Sequence, residues 1–148
     1  MVVPSEERTL VFVFGTLKQG FPNFAVNQGQ RVGRVYRTQQ PYPMYLMGAR
    51  HVPWMIDAPG SGERVAGELY AVDALALAVM DDLEGVGRPD GYHRQALQVQ
   101  GADAAVVLAQ VYMKRADQLV HADVRLGPLA EYTLEHAALY RRRGEQAY

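Results

Sequence analysis

Residues 10–14 read Leu-Val-Phe-Val-Phe, an unbroken apolar run that stops at Gly15. A short run rich in Val and Phe predicts a buried strand. Gly15 ends it and can take backbone conformations closed to other residues. Gly15-Thr16-Leu17 then presents backbone N–H groups at the carboxyl end of the strand, a common ligand position in mixed α/β chains. Downstream, Phe21-Pro22-Asn23 predicts the cap of a short helix running to about Gln28, and Val32, Val35 and Tyr36 predict a further strand. Residues 41–72 carry most of the prolines and predict short strands near Met44–Met47, Val52–Ile56 and Val65–Val72. Ala58-Pro59-Gly60-Ser61-Gly62 reads as a turn.

Asp73 is placed to cap a helix over Ala74–Glu84. Ala76, Val79, Met80 and Leu83 recur at i, i+3, i+4 and i+7 and predict one buried face. Gly85 and Gly87 are its stop signals. Two more strands are predicted at about Tyr92–Val99 and Val106–Met113, with a turn at Gly101-Ala102-Asp103. From Pro128 to Arg143 the chain has good helix formers, and Leu129, Tyr132, Thr133 and His136 fall on one face, continued by Leu139 and Tyr140. Many short strands around one central helix predict an α+β fold: a small barrel-like mixed sheet with flanking helices. A regular βαβ alternation is absent, which argues against a doubly wound sheet.

At 148 residues the chain is expected to be a single domain. Its net charge of −1 gives no electrostatic footprint for nucleic acid or an acidic membrane. Arg141-Arg142-Arg143 reads as a solvated helix terminus rather than a nucleic-acid patch. The absence of cysteine excludes disulfides, thiolate catalysis and cysteine-ligated metal, and fits a cytoplasmic location. No stretch nears the roughly 20 apolar residues of a membrane span, and the polar start, with Ser5, lacks a signal-type apolar region.

Four places could carry chemistry. Gly15-Thr16-Leu17-Lys18-Gln19-Gly20 lacks the spacing of a phosphate loop or a dinucleotide fingerprint. A row of N–H donors there can instead hold a carboxylate, or the segment can be a plain strand-ending turn. Asp81-Asp82-Leu83-Glu84 puts carboxylates at the helix end that favours cations. Asp82 reads as solvated. Glu84, at the border of the apolar face and beside Asp81, is expected to have a raised pKa suited to proton transfer near neutrality, although structural ion networks look the same. Tyr92 and Arg94 share a strand face, as packing plus a salt bridge or as a pocket wall. Trp54, the only tryptophan, reads as core or as a pocket liner. His51, His93, His121 and His136 have no ligand spacing, so no metal is expected, and Ser61 lacks a nucleophile elbow.

Taken together, the loop and the glutamate resemble the γ-glutamylcyclotransferase-like superfamily. Its opening signature, a strand ending Tyr-Gly-Ser/Thr-Leu, stands here as Phe14-Gly15-Thr16-Leu17, then Lys18-Gln19-Gly20 and Pro22-Asn23. Its second, Leu-Asp-x-x-Glu followed by Tyr-x-Arg, stands as Met80-Asp81-Asp82-Leu83-Glu84, then Tyr92-His93-Arg94. Pro41-Tyr42-Pro43, Pro53-Trp54, Pro59-Gly60-Ser61-Gly62 and Gly67-Glu68-Leu69-Tyr70-Ala71-Val72-Asp73 are similar to the γ-glutamylamine cyclotransferase branch. The resemblance covers about residues 10–113, and 118–148 are expected to add a helical extension.

The resemblance implies the same barrel-like fold. It also implies a cofactor-free, lyase- or transferase-type reaction, in which the α-amine of a γ-glutamyl amine attacks its own γ-carbonyl to give 5-oxoproline and a free amine. By the same resemblance Glu84 is the acid/base, and Phe14, Gly15, Thr16, Leu17, Trp54 and Tyr92 bind a small-molecule γ-glutamyl substrate. Phe14 departs from the family's tyrosine, and the interval from Glu84 to Tyr92 is longer than its pattern. The alternative is a non-catalytic module that binds γ-glutamyl or other small carboxylates. Glu84 argues against it, because a carboxylate gains nothing for a binder of anions, while Phe14 keeps it open. No oligomeric state is assigned.

Overall fold

The apolar run of the first strand is buried on both sides, and that sets the architecture. In a computed structural model, which describes residues 8–120 and 122–142, the elements are β1 (Thr9–Val13), β2 (Gln30–Thr38), β3 (Met44–Met47), β4 (Val52–Met55), β5 (Ala66–Val72), α1 (Ala74–Glu84), β6 (His93–Gly101), β7 (Val106–Met113), β8 (Val124–Leu126) and α2 (Leu134–Ala137). Phe12 and Phe14 join one apolar cluster with Leu69, Val99, Val111 and Met113 inside a barrel. Val11 and Val13 join a second with Tyr70, Val72, Ala76, Met80 and Tyr112, between the barrel and α1. With apolar partners on both faces, the run needs no polar alternation.

The barrel closes in the order β1-β5-β2-β6-β7. Its pairings are antiparallel except where β1 meets β7 in parallel, Val11 opposite Gln110. A register shift between Val32 and Val35 bends β2, with Gly33 at φ 63° supplying the left-handed residue of the bulge. A separate antiparallel sheet, β4-β3-β8, is tied to the barrel by the parallel bridge of Ile56 with Lys114. The expected small mixed barrel with helices is therefore the fold. No helix among the described residues is long and apolar enough to cross a membrane.

Several expectations need correction. The predicted helix to Gln28 is only a 3-10 turn, Phe24–Val26, because the Asn23 amide bonds Thr16 Oγ1 at 2.9 Å and Tyr140 Oη at 3.3 Å rather than capping. On α1, Ala76 and Met80 are buried but Val79 and Leu83 are 44% and 42% exposed, so the buried face is narrower than the period suggests. The C-terminal helix shrinks to Leu134–Ala137. Upstream of it Tyr132 is fully buried in the barrel core, and the chain is held extended by Leu129 N–H to Met44 O at 2.8 Å and Ala66 N–H to Ala130 O at 2.8 Å. The expected helical extension thus includes an unforeseen strand, β8, paired with β3. Arg141 and Arg142 follow α2 instead of ending a long helix: Arg141 N–H donates to Arg50 O at 3.0 Å, and the Arg142 guanidinium donates to Pro22 O. Ser5 and the polar start, His121 and Arg143 lie outside the described residues.

Candidate active site

The segment after β1 is a tight reverse turn: Lys18 N–H donates to Gly15 O at 3.2 Å and Asn23 N–H to Thr16 O at 2.8 Å. The Asn27 amide donates to Leu17 O at 3.1 Å. The carbonyls of this segment are thus engaged. The N–H groups of Gly15, Thr16 and Leu17 have no acceptor among the described residues, and all three residues line a cavity of about 800 Å³. Open N–H donors in succession suit an anion. Gly15 is required for a reason other than the one expected. It has no left-handed φ, but a Cβ there would lie 2.8 Å from Pro53 Cγ, so only glycine lets the turn after β1 pack this closely on β4.

Glu84 ends α1 and lines the same cavity. Asp73 caps the start of the helix by accepting Ala76 N–H at 2.8 Å. Gly85, at φ 70°, stops it, and Val86 N–H reaches back to Asp81 O at 3.0 Å. One turn earlier, Asp81 accepts Arg94 Nε at 2.9 Å, Arg94 Nη2 at 3.2 Å and Tyr112 Oη at 2.6 Å. That ion pair anchors the last turn of α1 to β6 and β7. Burial pushes the Glu84 carboxyl up to about 7, with the Lys114 ammonium pulling it the other way. The raised value was expected, and of the two causes expected for it, burial at the border of the apolar face dominates, whereas the charge of Asp81 is met by Arg94. A carboxyl that ionises near neutrality can both take and return a proton at physiological pH.

The other predicted residues fall into place unequally. Tyr92 and Trp54 are half-buried and line the cavity, and Tyr92 Oη donates to Pro53 O at 2.8 Å. Tyr92 therefore forms a wall, while Arg94 turns away to Asp81, so both readings of that pair are realised in different residues. Phe14 also lines the cavity, but it is buried and belongs to the barrel core. Sequence reasoning missed Lys114, which is buried in the cavity wall with its ammonium 4.5 Å from the Trp54 ring and 4.4 Å from the Tyr92 ring. It missed Arg50, Tyr140 and Arg142 as lining residues as well. Among the described residues no group of His, Cys, Asp and Glu could hold a metal ion.

Comparison with known proteins identifies the family. The family model described as gamma-glutamyl cyclotransferase, AIG2-like, matches residues 11–134. The chain is 44% identical over 96 residues to the Homo sapiens protein named gamma-glutamylaminecyclotransferase, covering 62% of this chain and 61% of that one. It is 38% identical over 114 residues to gamma-glutamylaminecyclotransferase B of Danio rerio, covering 71% of this chain and 59% of that one. The match thus spans about three fifths of each relative's length. The crystal structure of an AIG2-like protein from Mus musculus superposes with a TM-score of 0.77 at 31% identity, covering 95% of this chain and 99% of that one. With the family match running from within β1 to the start of α2, the chain belongs to the gamma-glutamyl cyclotransferase, AIG2-like family.

Proposed function

We propose that the protein is a γ-glutamylamine cyclotransferase. The observation that carries this reading is the placement of Glu84, a carboxyl pushed up to about 7, in one cavity with the open N–H row of Gly15, Thr16 and Leu17. The N–H row binds the α-carboxylate of the γ-glutamyl head, and Phe14, Trp54 and Tyr92 shape the space around it. Glu84 takes a proton from the α-ammonium. The freed amine attacks the γ-carbonyl carbon, forming the ring C–N bond. The bond from that carbon to the leaving nitrogen breaks as Glu84 returns its proton to the departing amine, and the second proton of the former α-ammonium, shed by the ring nitrogen as the lactam forms, also passes to that amine, which leaves as an ammonium. Atoms and charge balance without water or a cofactor. Both reacting groups belong to one molecule, so the enzyme need only fold the chain and move the proton.

A pure binding module fits less well, because an ionised Glu84 beside an anion cradle weakens anion binding. The lack of cysteine fits an enzyme of the cytoplasm. Incubation with a panel of γ-glutamyl amines and γ-glutamyl amino acids, assayed for 5-oxoproline, tests the reading. Release of 5-oxoproline with an equal amount of free amine is expected, fastest with a γ-glutamyl amine. Saturable binding without release across the panel would favour the binding module.

A further inference from the structure

Lys114 is a buried cation that the cyclisation scheme leaves without a role. It stands immediately after β7, and its backbone is pinned on both sides: its N–H donates to Met55 O at 2.9 Å and its carbonyl accepts Asp57 N–H at 2.8 Å. Its Nζ donates to Asp90 O at 2.6 Å and lies between the rings of Trp54 and Tyr92. Only 3% of the residue is exposed. Arg50, Arg88 and Arg142 also line the cavity, but none of them is buried. Burying an ammonium is costly unless a specific set of partners compensates it, and an apolar residue would serve the core better. Two aromatic faces and a carbonyl oxygen are partners suited to a cation.

The cage lines the same cavity as Glu84 and is tied to it through the backbone. The N–H of Tyr92 donates to Glu84 O at 2.9 Å, and Asp90 belongs to the loop between these two residues. We propose that Lys114 is a positioning residue for the proton transfer: its caged ammonium is the fixed positive charge against which Glu84 ionises, and its bond to Asp90 holds the 85–91 loop in place. This rests on the reading of Glu84 as the acid/base. The other groups facing Glu84 do not replace that charge. Tyr92 and Tyr112 are phenols whose pKa values burial pushes up, so they are neutral at neutral pH. Asp81 is met by Arg94, and Asp82 lies 3.5 Å from Arg88. Arg50 and Tyr140 act on Tyr92, and Asp123, on the rim, is paired with Arg125 at 2.8 Å. Direct opposition to the burial effect at Glu84 comes from Lys114.

The test follows the side-chain carboxyl of Glu84 by 13C NMR through a pH titration of the full chain, in wild type, Lys114→Met, Lys114→Gln and Lys114→Arg. In the two neutral variants the Glu84 midpoint is expected to rise by about one pH unit, the lower end for loss of a nearby opposite charge. The acidic limb of kcat/KM for 5-oxoproline release moves with it, lowering the rate at pH 7 about fivefold. Lys114→Arg keeps the wild-type midpoint. An unmoved midpoint in folded Lys114→Met or Lys114→Gln overturns the proposal. A second measurement needs no variant: the Lys114 ε-carbon shift of wild type is expected to inflect at the Glu84 midpoint, and the lack of an inflection there also overturns it. Neither titration needs substrate. A wild type that releases no 5-oxoproline would therefore refute the cyclotransferase reading and leave the coupling to be judged separately.

Discussion

The carbonyl oxygen of Glu84 accepts the backbone N–H of Tyr92 at 2.9 Å, so the intervening loop leaves and rejoins the site at one point. The closure depends on Gly91, where a Cβ would lie 1.9 Å from Gly85 O and 2.6 Å from Gly85 C. Both atoms are backbone and cannot rotate away. Gly91→Ala is expected to destabilise the fold by about 2–3 kcal/mol. It should also lower kcat roughly tenfold or more, because Tyr92 and Glu84 shift together. Urea unfolding and the 5-oxoproline assay measure the two effects.

Arg94 and Tyr112 act on the site through Asp81, since they anchor the helical turn that ends in Glu84. Hydrogen bonds to a charged group are worth about 1.5–3 kcal/mol each, and this ion pair is partly exposed, which puts Arg94→Met toward the lower end. Tyr112→Phe removes a single bond to Asp81 and should cost less. Both variants should lower kcat more than they alter KM. A folded Arg94→Met of wild-type stability and rate would show that the ion pair positions nothing.

Glu84 makes stability depend on pH in a direction opposite to that of most carboxylates. Its folded value of about 7 lies above the ordinary 4.5, so between these values the native state binds more protons than the unfolded one. The stabilisation is therefore complete below about 4.5 and is lost as pH rises through about 7. Glu84→Gln removes this dependence. At pH 8 it should be more stable than wild type by on the order of 2–3 kcal/mol, and near pH 4 the two should converge. Denaturation curves of the two proteins that stay parallel from pH 4 to 8 would contradict a raised Glu84.

The contact of Gly15 with Pro53 gives a prediction about the cradle. In Gly15→Ala the new methyl must push Pro53 away or move the open N–H row. KM should rise several-fold, for a stability cost of about 1 kcal/mol. An unchanged KM would separate this row from substrate binding.

Features set by local chemistry were legible in the sequence. The Asp73 cap and the Gly85 stop delimit α1 as read, and the apolar run before Gly15 is a buried strand. Features set by distant partners were not. Val79 and Leu83 match the helical period, but the barrel covers only the narrower stripe of Ala76 and Met80. Tyr132 matches a helix face, yet its burial in the barrel core holds its segment extended. Lys114 carried no signal in the sequence, because its cage comes from Trp54, Tyr92 and Asp90, all remote in sequence.

The most direct test of the account compares kcat of Glu84→Gln with wild type for 5-oxoproline release from a γ-glutamyl amine that wild type turns over. With the fold confirmed intact, the account predicts a fall of about 10²–10⁴-fold, the usual worth of a general acid–base group. A folded Glu84→Gln protein that releases 5-oxoproline at the wild-type rate would contradict it.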